Sequence, residues 1–159
     1  MKMFKTSFFF LIGIIVFLPA LSLAEVDGDE KSIEKDRTQL GATLTIRKGL
    51  KYQIYELAGR HTTVHEFLDS SGHVFGVTWE GRTPPDLSVI FGKHFAEYER
   101  ELARAPKVKG RRNFQTIITS KLRIAQVGHS GHYIGTAFLL GHMPIGISDA
   151  QVMKDAAKK

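Results

Sequence analysis

The chain has 159 residues, a formal net charge of +6 at pH 7 and no cysteine. This length is enough for one domain with a conventional hydrophobic core. The lack of cysteine excludes a disulfide framework, a thiolate nucleophile and a cysteine-bound metal or cluster.

The chain begins with a predicted secretory signal peptide, residues 1–24. Two lysines precede an apolar stretch at residues 8–18 (FFFLIGIIVFL), and Ser22 and Ala24 fit an A-x-A-like cleavage site. The stretch is too short to cross a bilayer, which needs about 20 residues. We therefore expect export to the periplasm or the extracellular medium, with no membrane span after cleavage. Loss of the two lysines leaves a mildly basic mature chain of +4, a charge that favours anionic surfaces but is also ordinary for solubility.

Residues 25–41 are a predicted polar lead-in with one short helix that Gly41 ends. After it, runs with β-type alternation are separated by short turn clusters. This pattern predicts a four-stranded antiparallel meander. The four runs are residues 42–47, 50–57, 61–68 and 73–79.

An amphipathic helix follows the meander. Two prolines end the last strand, and Asp86 after them is a good helix N-cap. Apolar residues then recur at helical spacing, with charged residues on the other side. The pattern predicts one long helix from Asp86 to Arg104, which Pro106 ends.

The C-terminal part adds a predicted hairpin and a short helix. Residues 114–127 and 133–140 form the two arms of the hairpin around a Gly-His-Ser-Gly turn. Ser148 and Gln151 form a capping box for the C-terminal helix. The order of elements predicts an α+β fold in a single domain, residues 42–159, whose antiparallel sheet packs against the long helix.

The sequence carries no phosphate loop, dinucleotide-binding glycine fingerprint, H-E-x-x-H helix or G-x-S-x-G elbow. His65 and Glu66 begin like a zinc motif, but the second histidine is missing and the pair lies in a predicted strand. Ser130 lies at the predicted hairpin tip, where turn chemistry explains it better than a role as nucleophile.

The seven histidines raise the question of a metal site. His129 with His132, or His61 with His65 on one strand face, could share a zinc or copper ion. The histidines are scattered, however, and a tight site also needs a third ligand and an ordered surrounding shell. We therefore predict no metal ligand and no cofactor.

Glu66 and Trp79 are the predicted ligand-binding residues. An even-length turn between their strands would pair Glu66 with Phe75. The same register would pair Thr62 with Trp79, so that all these side chains share one sheet face. A carboxylate among such neighbours must be paired, have a raised pKa or line a pocket. The alternatives are a purely structural partner, such as an arginine, or a bulged turn that sends Glu66 to solvent.

A basic connector joins the long helix to the hairpin and is the second candidate surface. Its cations could contact phosphates of envelope lipids or another polyanion. A solvated loop is the alternative interpretation. Because no aromatic residue interleaves the connector and the chain is predicted to be exported, we expect no nucleic-acid partner. The four cations are Lys107, Lys109, Arg111 and Arg112.

Residues 63–87 (TVHEFLDSSGHVFGVTWEGRTPPDL) contain a V-T-W-x-G and a P-D-L motif. With residues 36–42 (DRTQLGA) and 141–152 (GHMPIGISDAQV), they resemble a family of small exported bacterial proteins defined only as a domain of unknown function. The resemblance extends over nearly the whole mature chain and implies export and a single domain. It assigns no role to Glu66 or Trp79, because the family has no activity to transfer.

These observations favour a non-enzymatic exported module that binds an apolar small molecule, an envelope component or another exported protein. Two alternatives remain. One is a small periplasmic hydrolase that uses Glu66 or a histidine as acid or base. The other is a histidine-based metal-binding accessory protein. An open cleft beside Glu66 and Trp79 would favour binding or catalysis, whereas a sheet face filled by helix side chains would remove that site.

Overall fold

The computed structural model describes residues 26–106 and 114–158. The strands in these ranges are β1 (Thr43–Lys48), β2 (Gln53–Ala58), β3 (Thr62–Leu68), β4 (Val74–Gly81), β5 (Gln115–Ile118), β6 (Leu122–His129) and β7 (His132–Leu139). They form one seven-stranded antiparallel sheet in the order β1-β2-β3-β4-β7-β6-β5. The sheet and its helices form the mixed α+β fold that the sequence predicts.

Helices lie on both faces of the sheet. The first is capped by Asp29, whose carboxylate accepts a hydrogen bond from the Ser32 backbone N–H at 3.0 Å, and it buries Ile33 completely. Gly41 follows it with a φ of +59°, a conformation that favours glycine after a helix. This is the short helix predicted in the polar lead-in. The helices are α1 (Glu30–Gln39), α2 (Leu87–Phe91), α3 (Phe95–Arg104) and α4 (Asp149–Ala156).

The predicted long helix is divided in two. Asp86 caps it as predicted, with its carboxylate accepting from the Ser88 backbone N–H at 2.9 Å. A 3₁₀ turn, Gly92–His94, then separates α2 from α3. Gly92 has a φ of +46°, which L side chains rarely adopt, so the chain changes direction there. Apolar periodicity alone does not reveal this break, because it continues on both sides.

The predicted hairpin arm over residues 114–127 is also two strands, β5 and β6. The Thr119 hydroxyl accepts from the Leu122 backbone N–H at 2.8 Å and stabilises a turn between them. The Glu97 carboxylate on α3 accepts from the Ser120 backbone N–H at 2.7 Å. The C-terminal part of the sheet is therefore three-stranded. The turn between β5 and β6 is stabilised by the side chains of Thr119 and Glu97, which are not among the residue types that most strongly indicate a turn in a sequence.

The register predicted between β3 and β4 is wrong by two residues. Glu66 lies opposite Val77 rather than Phe75. Phe75 is the extra residue of a bulge and packs into the core on the other face. Because the shift is even, Glu66 and Trp79 still share a face, and the bulge does not send Glu66 to solvent.

The two faces of the sheet carry separate cores. Face A carries Tyr55, Glu66 and Trp79 and is covered by α1, α2 and α3, which contribute Ile33 and Phe91 to its core. Face B carries a smaller core that α4 covers. Side chains of the face B core are Tyr52, Ile54, Phe67, Phe75, Phe138, Ile147 and Val152.

Helix α4 is capped at its start and joined to the rest of face B near its end. Ser148 caps its start as predicted, with the hydroxyl accepting from the Gln151 backbone N–H at 3.3 Å. Near its end, Asp155 accepts a hydrogen bond from the Tyr52 hydroxyl at 2.8 Å and pairs with Lys158. These contacts hold the last described helix against the turn between β1 and β2.

An aromatic cavity at the end of face A

A cavity of about 260 Å³ opens between α2, α3 and strands β4 to β7 at one end of face A. Three aromatic rings contribute to its wall, and the mouth lies beside the exposed Pro84 and Gln115. Its volume is slightly below the roughly 300 Å³ at which common ligand pockets begin. The residues around it are Trp79, Pro84, Leu87, Tyr98, Gln115, Gln126, Val127, Gly128, Tyr133 and Ile134.

Two glycines allow the rings to lie flat on the strands. A Cβ atom at Gly135 would lie 2.1 Å from the Trp79 ring, and one at Gly128 would lie 2.3 Å from the Tyr133 ring. Each glycine faces its aromatic partner on the neighbouring strand. Any larger residue would displace the ring, so the shape of the cavity depends on both glycines.

Helix side chains hold the inner wall in place. The Phe91 ring packs edge-on against Trp79, with centroids 6.0 Å apart, and against Tyr98, with centroids 5.0 Å apart. Trp79 and Tyr98 are only 2% and 4% exposed. The wall is therefore a closely packed aromatic cluster.

The outer wall is polar but uncharged. The Gln126 side-chain amide donates to the Tyr98 hydroxyl at 3.1 Å and to the side-chain oxygen of Gln115 at 2.9 Å. Gln115 and Gln126 face each other across β5 and β6. Burial raises the pKa of Tyr98, so its hydroxyl keeps its proton at neutral pH. None of the described residues that line the cavity carries a charge.

Glu66, the second predicted ligand-binding residue, lies away from the cavity. Its carboxyl is 1% exposed and shares a hydrogen bond with Asp36 of α1, which is equally buried. Burial raises the pKa of Glu66 well above its ordinary value, and the neighbouring Asp36 raises it further. The two carboxyls form a sealed pair beneath α1, whereas Trp79 lines the cavity.

Sequence analysis missed the partner of Glu66. Asp36 lies three residues after Ile33 on α1, and Leu40 follows four residues later. This i, i+3, i+7 spacing places Asp36 on the apolar side of the helix. The helical spacing therefore indicates that Asp36 is buried. This indication is easily missed, because most residues around Asp36 in the sequence are charged or polar.

A second polar site lies on face B. The His65 Nε2 atom and the Arg47 guanidinium each lie 3.3 Å from the Glu56 carboxylate. Burial lowers the pKa of His65, although Glu56 partly opposes the shift. His65 borders a groove of about 180 Å³ beneath α4 that also contacts Thr78 and Glu80. His65, one of the histidines considered in the sequence, thus contacts a carboxylate and also borders this groove.

The other predicted sites are placed as follows. His129 and His132 face each other across the β6–β7 hairpin, with ring centroids 5.8 Å apart. Within residues 26–106 and 114–158, no group of three or more His, Asp or Glu side chains is arranged to hold a metal ion. The predicted signal peptide and the predicted connector with Lys107, Lys109, Arg111 and Arg112 lie outside the described residues. None of the described helices is long and apolar enough to cross a membrane.

The fold and the cavity define a small mixed α+β domain with an aromatic pocket at one end of its sheet. The sequence model of a family described as "Protein of unknown function (DUF2844)" matches residues 22–152, and the chain belongs to this family. The match includes all three segments that carry the resemblance noted in the sequence, so the predicted membership of a family defined as a domain of unknown function is confirmed. Comparisons with curated proteins and with solved structures gave no match.

Proposed function

We propose that the protein is an exported, non-enzymatic module that binds an apolar small molecule in the aromatic cavity. The observation that carries the proposal is the pairing of Gly128 and Gly135 with the rings of Tyr133 and Trp79. These pairs leave space beside a rigid aromatic wall, and concave apolar sites with a few polar groups are typical of ligand sites.

Export is the second part of the proposal. The apolar segment at residues 8–18 and the small residues before position 25 support a cleaved signal peptide. The basic connector would then favour anionic phosphates of the envelope through Lys107, Lys109, Arg111 and Arg112. Edman sequencing of the protein secreted from cells that express the full chain should begin at Glu25. A mature protein that begins at Met1 and remains in the cytosol would contradict export.

Binding is tested by identifying what copurifies with the protein. The full chain is expressed with its signal in a bacterial host, recovered gently from the envelope and analysed by native mass spectrometry. Leu87→Trp adds bulk at the cavity wall, whereas Leu50→Trp makes the same change at a residue that is 74% exposed and remote from the cavity.

We expect a small molecule to accompany the original protein and the Leu50→Trp variant but not the Leu87→Trp variant. Circular dichroism and thermal unfolding establish that both variants fold. Equal recovery of a ligand with all three proteins would place binding outside the cavity. Recovery of ligand-free protein in every case, even after incubation with an envelope lipid extract, would contradict the proposal.

A hydrolase is the second candidate function, and the His65–Glu56 contact is the observation that favours it. A neutral histidine oriented by a carboxylate could act as a general base toward a substrate in the groove beneath α4. Glu66 is a poorer candidate because it is sealed from solvent. Hydrolysis of a panel of chromogenic esters that is lost in His65→Gln but kept in His129→Gln would support this function. Identical rates for the two variants would contradict it.

A further inference from the structure

We infer that the aromatic cavity selects an uncharged, compact ring compound that carries a hydroxyl group. This inference rests on the proposed function, because it specifies the ligand of the same cavity.

The first step concerns charge. The described lining residues present only apolar side chains, phenols and amides to the cavity. A charged group that enters such a site loses its hydration and finds no opposite charge in this lining. A charged ligand should therefore bind much more weakly than a neutral ligand of the same shape.

The second step concerns hydrogen bonding. The Gln126 amide uses both of its hydrogens, one on the Tyr98 hydroxyl and one on Gln115. The Tyr98 hydroxyl accepts one of these bonds, so its own hydrogen is available to donate, and the Gln126 side-chain oxygen is available to accept. A donor and an acceptor side by side match a ligand hydroxyl, which both accepts and donates.

The third step concerns shape. The Tyr133 ring lies against Gly128 and is half-buried, so it presents aromatic surface to the cavity, whereas Trp79 lies against Gly135 and is almost fully buried in the wall. Aromatic rings pack favourably on such surfaces in offset or edge-on geometry. A volume of about 260 Å³ suits a ligand of about two fused rings rather than a long lipid chain.

The test compares three probes with one ring system: 2-naphthol, 2-methylnaphthalene and naphthalene-2-sulfonate. Trp79 is the only tryptophan in the chain, so its indole N–H gives a single, site-specific signal in a ¹H–¹⁵N correlation spectrum. Each probe is titrated into ¹⁵N-labelled protein purified after expression of the full chain, and the shift of that signal gives the dissociation constant.

We expect 2-naphthol to bind about threefold to tenfold more tightly than 2-methylnaphthalene, which is the combined net contribution of two hydrogen bonds at the lower end of the ordinary range. The sulfonate should leave the indole signal unmoved at the same concentrations. Sulfonate binding as tight as that of 2-naphthol would overturn the inference while leaving the proposed cavity function intact. If none of the probes moves the signal, the inference fails, and native mass spectrometry then decides separately whether the cavity binds anything.

Two variants test the hydroxyl contact. Tyr98→Phe removes the proposed donor, and Gln126→Leu removes the proposed acceptor; each should reduce the preference for 2-naphthol to less than twofold. Tyr55→Phe is the matched control, because its hydroxyl bonds to Glu30 on the same face but outside the cavity. An unchanged preference in both cavity variants would overturn the inference, and two independent variants guard against the misfolding of either.

Discussion

Glu66 and Asp155 are both buried acids, but they lie on opposite faces of the sheet and have opposite surroundings. Glu66 is 1% exposed and faces a second carboxyl, so its pKa is raised well above the ordinary value. Asp155 is 5% exposed, yet its hydrogen bonds with Lys158, Gln151 and Tyr52 lower its pKa to about 2. Burial alone therefore does not determine how an acid titrates, because the partners decide the sign of the shift.

The origin of the partners also differs. Lys158 lies three residues after Asp155 on the same short segment, and it is mostly exposed. Asp36 reaches Glu66 only because α1 packs on the sheet. The acid on face B is thus stabilised in its charged form by a neighbour in sequence, whereas the acid on face A is held near a like group by the tertiary fold.

Replacing Asp155 should have the largest effect. Asp155→Ala removes the acceptor of the Tyr52 hydroxyl and leaves a buried phenol without its partner, which costs about 2 to 3 kcal/mol of unfolding free energy. Urea unfolding at pH 7 measures the loss. Asp149→Ala on the same helix, whose carboxylate pairs with the partly exposed Arg123, is the control and should lose less than about 1 kcal/mol. Equal losses of unfolding free energy in Asp155→Ala and Asp149→Ala would contradict the prediction that the buried hydrogen bond stabilises the protein more than the exposed ion pair.

Replacing Glu66 should act in the opposite direction. Glu66→Gln keeps the shape but cannot ionise, so unfolding no longer gains from the ionisation of a carboxyl whose pKa is raised in the folded protein, and the variant should be about 1 kcal/mol more stable than the original protein at pH 8. Glu101→Gln on α3 is the control. It removes an ion pair with the exposed Arg104 and should change stability little. A Glu66→Gln variant that is less stable than the original protein at pH 8 would show that the charged form is favoured.

The pH dependence sharpens the same contrast. Above the ordinary glutamate pKa of about 4.3, the unfolded chain has lost a proton that folded Glu66 retains, so stability falls as pH rises, by up to about 1.4 kcal/mol per pH unit. Asp155 contributes stability above the ordinary aspartate range and loses it as pH falls through about 2. Urea unfolding across pH 2 to 9 should show both slopes, and Glu66→Gln should remove only the fall in stability that begins above about pH 4.3. Parallel profiles for Glu66→Gln and the original protein would contradict the assignment.

The smallest expected effect comes from the phenol that links Asp155 to the sheet. Tyr52→Phe removes one hydrogen bond and leaves the ring packing against Phe67 and Phe75, so it should cost about 1 kcal/mol. Combined with Asp155→Ala in a double-mutant cycle, the two losses should be clearly less than additive. Additive losses would show that the hydrogen bond contributes nothing to stability.

Elements defined by local chemistry were predictable from the sequence. Asp86 and Ser148 cap helices where their spacing indicated, and Gly41 ends α1. The predicted element boundaries are wrong where a contact between distant residues, or one unusual backbone conformation, determines where an element ends. Glu97 on α3 stabilises the turn at Ser120, and the spacing of apolar residues cannot predict such a contact.

The candidate site was predictable only in part. Trp79 was predicted as a ligand-binding residue because the strand register placed it on the face of Glu66, and it does line the cavity. Its counterpart Gly135 lies on a strand that pairs with β4 only in the folded sheet, so the sequence gives no sign of the space between them. Glu66 was correctly placed on the face of Trp79, but its distance from the cavity depends on the packing of α1.

The anchoring of α4 has a consequence for how the chain acquires its structure. The hydrogen bond from Tyr52 to Asp155 joins residues 103 positions apart, and Val152 of the same helix contributes to the face B core that contains Tyr52. Contacts between such distant positions are slow to form because a long loop must close first. In a nascent chain this side of the sheet therefore stays uncovered until α4 has been synthesised, because Ile147 and Val152 of the face B core lie just before and within that helix.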